Sequence, residues 1–179
     1  MGCYLCKSDK HNKRATGVRD NSNIDVLECS DCGLVYLSSL DHIQDKHYEE
    51  SGMHDNKEPN IDNWLNETEF DDKRRYDFLK EKIENKNVLD FGCGIGGFLG
   101  IAKNSSRKIS GVELERALQP SFQERGLNVF FNLKEAKEQP EKYDVITAFH
   151  VFEHLQDPKE ILKELSQLVT ENGEIIIEV

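Results

Sequence analysis

Val88-Leu89-Asp90-Phe91-Gly92-Cys93-Gly94-Ile95-Gly96-Gly97-Phe98-Leu99 decides the fold. A short apolar run of strand character enters four glycines in six residues and leaves as a second apolar run. Glycine lets a backbone come close to a ligand, and the first turn of a following helix has N–H groups to offer. The stretch therefore reads as strand, ligand-facing loop, helix.

Working outward, strand and helix patterns alternate. Strand one is Asn87–Phe91, followed by a helix over 98–105. Strand two is 108–113, with a helix over 116–125 in which Pro120 is tolerated only near the start. Strand three is 127–131, strand four Tyr143–Phe149 and strand five 174–179. Between the last two, Asp157 reads as a helix N-cap, Pro158 as the first helical residue and Glu160 as its capping-box partner. The stretch 134–142 reads as a solvated loop. Upstream, 62–84 reads as a helix with Trp64, Leu65, Phe70, Tyr76, Leu79 and Ile83 as its apolar stripe, ended by Asn85. Repeated strand–helix units specify an α/β fold: a Rossmann-like, mostly parallel sheet with helices on both faces.

The N-terminal end follows other rules. Cys3-x-x-Cys6 and Cys29-x-x-Cys32-Gly33 are two knuckles separated by 22 residues. Residues 1–35 hold five basic and five acidic side chains and too few apolar ones to build a core unaided. Four soft sulfur ligands satisfy tetrahedral Zn2+ and leave no open position, so a structural four-cysteine zinc module over 1–35 is expected. An iron centre or a redox dithiol are the alternatives. The fifth cysteine, Cys93, belongs to the glycine loop. Residues 36–60, with His42, His47 and His54, lack periodicity and read as a linker or lid before the domain at 61–179.

Composition limits the partners. Apolar residues make up 37% of the 179-residue chain and charged ones 32%, enough for a globular fold. The net charge of −11 opposes binding to nucleic acid or an anionic membrane. No apolar run is long enough for a membrane span, and MGCYLCKSDK lacks a signal-peptide core. An odd cysteine count in metal-type spacing fits a reducing, cytoplasmic setting.

Gly92-x-Gly94-x-x-Gly97 alone matches a dinucleotide fingerprint, a weak signal. Its surroundings say more. Asp90 can face a ligand ammonium group, and Glu113, ending strand two, can accept both hydroxyl hydrogens of a ribose. Leu114 can flank an adenine.

With VLDFGCGIGGFL, GVE, AFHVFEHLQDP and GEIIIEV in order over 87–179, the chain resembles class I S-adenosylmethionine-dependent methyltransferases. The cysteine knuckles followed by CGLVY resemble the N-terminal zinc-binding region of bacterial C-methyltransferases acting on nucleotide-linked deoxysugars. The resemblance implies that Asp90, Phe91, Gly92, Cys93, Gly94 and Gly96 hold the methionyl part of S-adenosyl-L-methionine. Glu113 would hold the ribose. Leu114, Asn132 and Leu133 would border the adenine, with Phe149 and His150 beside the cofactor. His154 would be the general base and Glu153 its partner, serving a small-molecule acceptor with a nucleotide-linked sugar preferred.

Two further strands normally follow strand five in that family, and the sugar enzymes add a C-terminal domain. The chain is accordingly expected to be cut short after strand five and to bind cofactor with little turnover. Three rivals remain at this point. RNA methylation is opposed by the charge, and nicotinamide chemistry by the Asp90 setting. A non-catalytic zinc-containing binding module is the third.

Overall fold

The structure is a computed structural model that describes residues 2–18, 21–39 and 60–179. Most of the expected linker or lid, with its three histidines, lies outside these residues. The described residues form two compact units. One holds those up to Ser39 together with Leu155–Ile161, the other Asn60–His154 with Leu162–Val179.

The first unit contains an antiparallel sheet, β1 (His11–Ala15), β2 (Val26–Cys29) and β3 (Val35–Leu37), in that order. Leu27 and Tyr36 face one another across β2 and β3. Side chains alternate along a strand, so Cys29 shares the face of Leu27. That face, with Cys3, forms the small buried cluster of the unit.

The second unit opens with α1 (Ile61–Ile83), capped by the Asn60 side chain, which accepts the Asn63 N–H at 2.9 Å. Asn85 follows with φ 56°, a left-handed turn that asparagine tolerates, and ends the helix as read. Strand–helix alternation then gives β4 (Asn87–Phe91), α2 (Gly97–Ala102), β5 (Lys108–Val112), α3 (Gln119–Glu124), β6 (Val129–Phe130), α4 (Leu133–Lys137), β7 (Tyr143–Phe149), α5 (Pro158–Leu168) and β8 (Val169–Glu178). The sheet order is β6-β5-β4-β7-β8, with every neighbouring pair parallel. Leu79, Ile83, Val88, Phe98, Ala102 and Val145 form the core between α1, α2 and one sheet face. Leu89 and Ile146 are equally buried and point to the opposite face. The Rossmann-like α/β reading is borne out.

Four details differ from the sequence reading. Phe70 is 79% exposed rather than part of the α1 stripe, because the inner face of that helix carries Asp72, Leu79 and Ile83. The stretch read as a loop holds α4, nucleated where the Asn132 side chain accepts the Glu135 N–H at 3.0 Å and Ala136 is buried. Strand three shortens to Val129–Phe130. Strand five begins earlier, at Val169, where the chain bulges around Thr170–Gly173 opposite Asp144.

The expectation of a fold cut short after strand five is also corrected. The elements from β6 through α4, β7 and α5 to β8 are all formed, and β8 pairs with β7 from Tyr143↔Val169 to Phe149↔Glu178. A parallel strand can pair only after its crossover has returned the chain to the same end of the sheet, and α5 provides that return. All five strands read from the sequence are therefore formed and paired in one sheet, with β8 as the fifth.

Candidate active site and a four-cysteine centre

All five parallel strands point their carboxyl ends the same way, at Phe91, Val112, Phe130, Phe149 and Glu178. Ligands of open α/β sheets bind at that edge. Gly92 has φ 71°, and a Cβ there would lie 2.4 Å from the Val151 side chain, so any larger residue would strain the backbone and force Val151 to shift. The N–H groups of Gly92 and Cys93 both bond the Val112 carbonyl, at 2.9 and 3.1 Å, tying the loop to β5.

Glu113 sits directly after β5 and is committed to the same loop. Its Oε2 accepts the Gly94 N–H and its Oε1 the Glu115 N–H, each at 2.9 Å. A carboxylate has about four acceptor positions, so roughly two stay open to hydroxyl donors. Burial pushes its carboxyl above the usual range, against the pull of those backbone amides. Asp90 is buried in β4, where Thr147 Oγ1 donates to its Oδ1 at 2.7 Å. Burial raises its pKa to about 7, the Asp72 and Glu113 charges add to this, and Thr147 and Arg75 oppose it. A ligand cation placed there would favour the ionised acid. Burial likewise drives the Cys93 thiol well above its ordinary value, which suits a packed side chain rather than a nucleophile. Its sulfur lies against Gly111 of β5.

Towards β6, Leu114 is 37% exposed, Asn132 is occupied as the α4 cap and Leu133 is buried. The Arg116 guanidinium stacks 3.8 Å over the Phe131 ring beside them. At the end of β7, Phe149 meets Phe98 edge-on at 5.1 Å and carries the Arg75 guanidinium at 4.7 Å. His150 adopts φ 52° and donates its N–H to the Glu178 carbonyl at 2.8 Å. Its Nδ1 lies 3.2 Å from Glu153 Oε1 and its Nε2 3.2 Å from Glu178 Oε1. The structure thus sets Glu153 beside His150. His154 closes the 3-10 turn Phe152–His154 through its own N–H to the Val151 carbonyl at 3.0 Å.

Several site residues escaped the sequence reading. Trp64, Asp72 and Arg75 lie along one side of α1. The Trp64 ring stands 3.7 Å from where a Gly94 Cβ would be, and Asp72 presses on Gly97, where a Cβ would come within 2.0 Å of its carboxylate. Glu178 gathers Arg75 at 2.7 Å and Arg74 at 3.0 Å, and these cations hold its carboxyl below the ordinary value although burial alone would raise it. The available signal was a buried-face register occupied by charge: Asp72 and Arg75 are one helical turn apart on the line that leads to Leu79.

In the N-terminal unit, Cys3 Sγ and Cys32 Sγ are 3.6 Å apart, and Cys6 Sγ and Cys29 Sγ 3.5 Å. A disulfide needs about 2.05 Å. A tetrahedron with arms of about 2.3 Å has edges of about 3.8 Å. The four sulfurs lie within 4.8 Å of one another, so the donor set fits one tetrahedral zinc ion. The two knuckles also repeat one geometry. Lys7 N–H bonds the Cys3 carbonyl at 2.8 Å and Gly33 N–H the Cys29 carbonyl at 2.9 Å, with φ 64° at Lys7 and 76° at Gly33.

Comparison with known proteins was informative at the family level. The chain is 29% identical over 128 residues to the ubiquinone biosynthesis O-methyltransferase of Pseudomonas fluorescens strain Pf0-1, covering 63% of this chain and 55% of that one. Identity to the mitochondrial ubiquinone biosynthesis O-methyltransferase of Dictyostelium discoideum is 28% over 117 residues, covering 53% and 35%. The chain spans about half the length of the first of these relatives. A solved S-adenosylmethionine-dependent methyltransferase from Clostridium acetobutylicum aligns with a TM-score of 0.48 at 19% identity, over 59% of this chain and 48% of that one. A family model described as a methyltransferase domain matches residues 63–179. That match runs from within α1 to the end of β8 and takes in the glycine loop and Glu113: the chain belongs to the methyltransferase-domain family.

Proposed function

We propose that this protein transfers the methyl group of S-adenosyl-L-methionine to a small-molecule acceptor. The observation that carries this reading is the joined pair of glycine loop and Glu113, set at the carboxyl edge of a methyltransferase-family sheet. When bound, the cofactor supplies an electrophilic methyl group on a sulfonium. The chain's part is to bind and orient it. The open acceptor positions of Glu113 take the ribose hydroxyls, with Leu114, Asn132 and Leu133 towards the adenine. Asp90, with the backbone of Phe91, Gly92, Cys93, Gly94 and Gly96, faces the methionyl end. Phe149 and His150 lie at its side.

On the acceptor side we place His154 as the group that removes a proton, with Glu153 on the same short turn. The acceptor we prefer is a nucleotide-linked sugar, because of the cysteine knuckles ahead of the domain. The names of the curated relatives support a second reading, a hydroxylated ring methylated on oxygen. Net charge −11 weighs against nucleic acid. No helix among the described residues is long and apolar enough to cross a membrane, and we place the protein in the cytoplasm because its cysteine usage suits a reducing compartment. Cys3, Cys6, Cys29 and Cys32 we assign to one structural zinc.

The test is a methyl-label assay offering sugar nucleotides, catechols and RNA in parallel, with calorimetry of S-adenosylhomocysteine binding. Labelling of a small molecule with cofactor-product binding supports the reading. Labelling of RNA alone, or no binding, overturns it.

A further inference from the structure

Arg125 caps the end of α3 and reaches the glycine loop with its side chain. Its Nη2 donates to the Ile95 carbonyl, and its Nε lies 3.2 Å from Ser121 Oγ and 3.4 Å from the Ser121 carbonyl. The residue is half-buried, with its guanidinium 5.8 Å from the centre of the Phe122 ring. Gly96 backs onto the same wall: a Cβ there would come within 3.5 Å of Phe122 and 3.1 Å of Leu127. A planar guanidinium with two of its nitrogens engaged has a fixed direction.

The consequence lies in one peptide plane. A trans peptide points its C=O and its N–H in opposite directions. Arg125 takes the Ile95 C=O, and the N–H of the same peptide, on Gly96, donates to the Cys93 carbonyl at 2.9 Å. Both ends of that plane are held, between Gly94 at φ 50° and Gly96 at φ 74°. Val112 and Glu113 take the N–H groups of Gly92, Cys93 and Gly94, so their bonds anchor the first half of the loop. We propose that Arg125 is a positioning residue of the cofactor loop, holding the Gly94–Gly96 turn in the shape that receives the methionyl end of S-adenosyl-L-methionine. This rests on reading the loop as the cofactor's cradle. Glu113 then sets the ribose and the first half of the loop, and Arg125 sets the second half.

Calorimetry with two ligands separates this role from general support of the fold. S-adenosylhomocysteine carries the amino-acid end and 5′-methylthioadenosine lacks it, while both carry the adenosine. In Arg125→Met the loop carbonyl loses its charged donor. Affinity for S-adenosylhomocysteine should fall about tenfold or more, as for loss of one charge-assisted hydrogen bond, while affinity for 5′-methylthioadenosine stays within about threefold of native. Arg125→Lys keeps a cationic donor and should bind S-adenosylhomocysteine more tightly than Arg125→Met. Equal losses for both ligands overturn the proposal, as does native-like binding of S-adenosylhomocysteine by Arg125→Met or a Lys variant no better than the Met one. Should Arg125→Met not fold, the test passes to Arg125→Lys, whose ammonium cannot reproduce the guanidinium's fork to Ser121 and Ile95. A smaller loss, confined to S-adenosylhomocysteine, should then appear, and native affinity for both ligands overturns the proposal. A native chain that binds no S-adenosylhomocysteine defeats the cofactor reading itself, whereas a native chain that binds it and an indifferent Arg125→Met defeat only this inference.

Discussion

The carboxylate of Glu113 accepts the amide proton of Gly94 at 2.9 Å, so the strand-end acid and the glycine loop form one unit. A ligand reaching Glu113 meets a carboxylate whose direction is already fixed by two backbone donors. On the proposed reading, replacing Glu113 by Ala removes a ligand contact, and it also removes the loop's bond to Gly94. Calorimetry should show S-adenosylhomocysteine binding weakened by about 1.5–3 kcal/mol, the worth of a charge-assisted hydrogen bond. Unchanged affinity would take Glu113 out of the site.

Asp90 makes stability depend on pH in a defined sense. Its folded pKa, raised to about 7 chiefly by burial, lies above its unfolded value, so the folded state holds the proton more tightly. Its contribution is present in full below the unfolded pKa and is lost as pH climbs through about 7. Asp72 and Glu113, also raised, slope the same way, and Glu178, lowered, slopes the other way. Asp90→Asn should therefore gain thermal stability relative to native between pH 5 and pH 8. Parallel melting temperatures of the two proteins over that range would contradict the assignment.

Trp64 is the single tryptophan of the chain and lies against Gly94. Binding of S-adenosylhomocysteine in the loop should change its fluorescence in a saturable way, with the same midpoint as calorimetry. Trp64→Phe should abolish the signal. NAD offered at equal concentration should give no comparable change. Calorimetric binding with a silent Trp64 would mean that the ligand sits away from this part of α1.

Gly97 is held free of a side chain by the Asp72 carboxylate. Gly97→Ala should destabilise the fold by about 1–3 kcal/mol, the usual cost of overpacking. Adding Asp72→Ala should recover part of that loss if the clash is its source. Urea melts of both variants check this, and equal loss in the single and double variants would point to another cause.

The cysteine centre should hold about one equivalent of zinc by elemental analysis. Chelation should melt the β1–β3 unit, which has only a small cluster of its own. Cys6→Ser should lower zinc retention sharply. A folded, metal-free unit with four freely reactive thiols would refute the assignment.

The sequence alone determined the strands Asn87–Phe91 and Tyr143–Phe149 to the residue, the α5 start at Asp157-Pro158, the parallel sheet and the pairing of cysteine knuckles. These depend on local signals, namely apolar periodicity, caps and fixed spacing, which need no knowledge of distant neighbours. Tertiary structure alone decided that Phe70 faces outward, that Asp72 presses on Gly97, and that Glu178 collects Arg74, Arg75 and His150. Those pairings join residues up to 104 positions apart. They follow from which side of α1 meets the sheet and from the register of β8 on β7, neither of which any short stretch of sequence encodes.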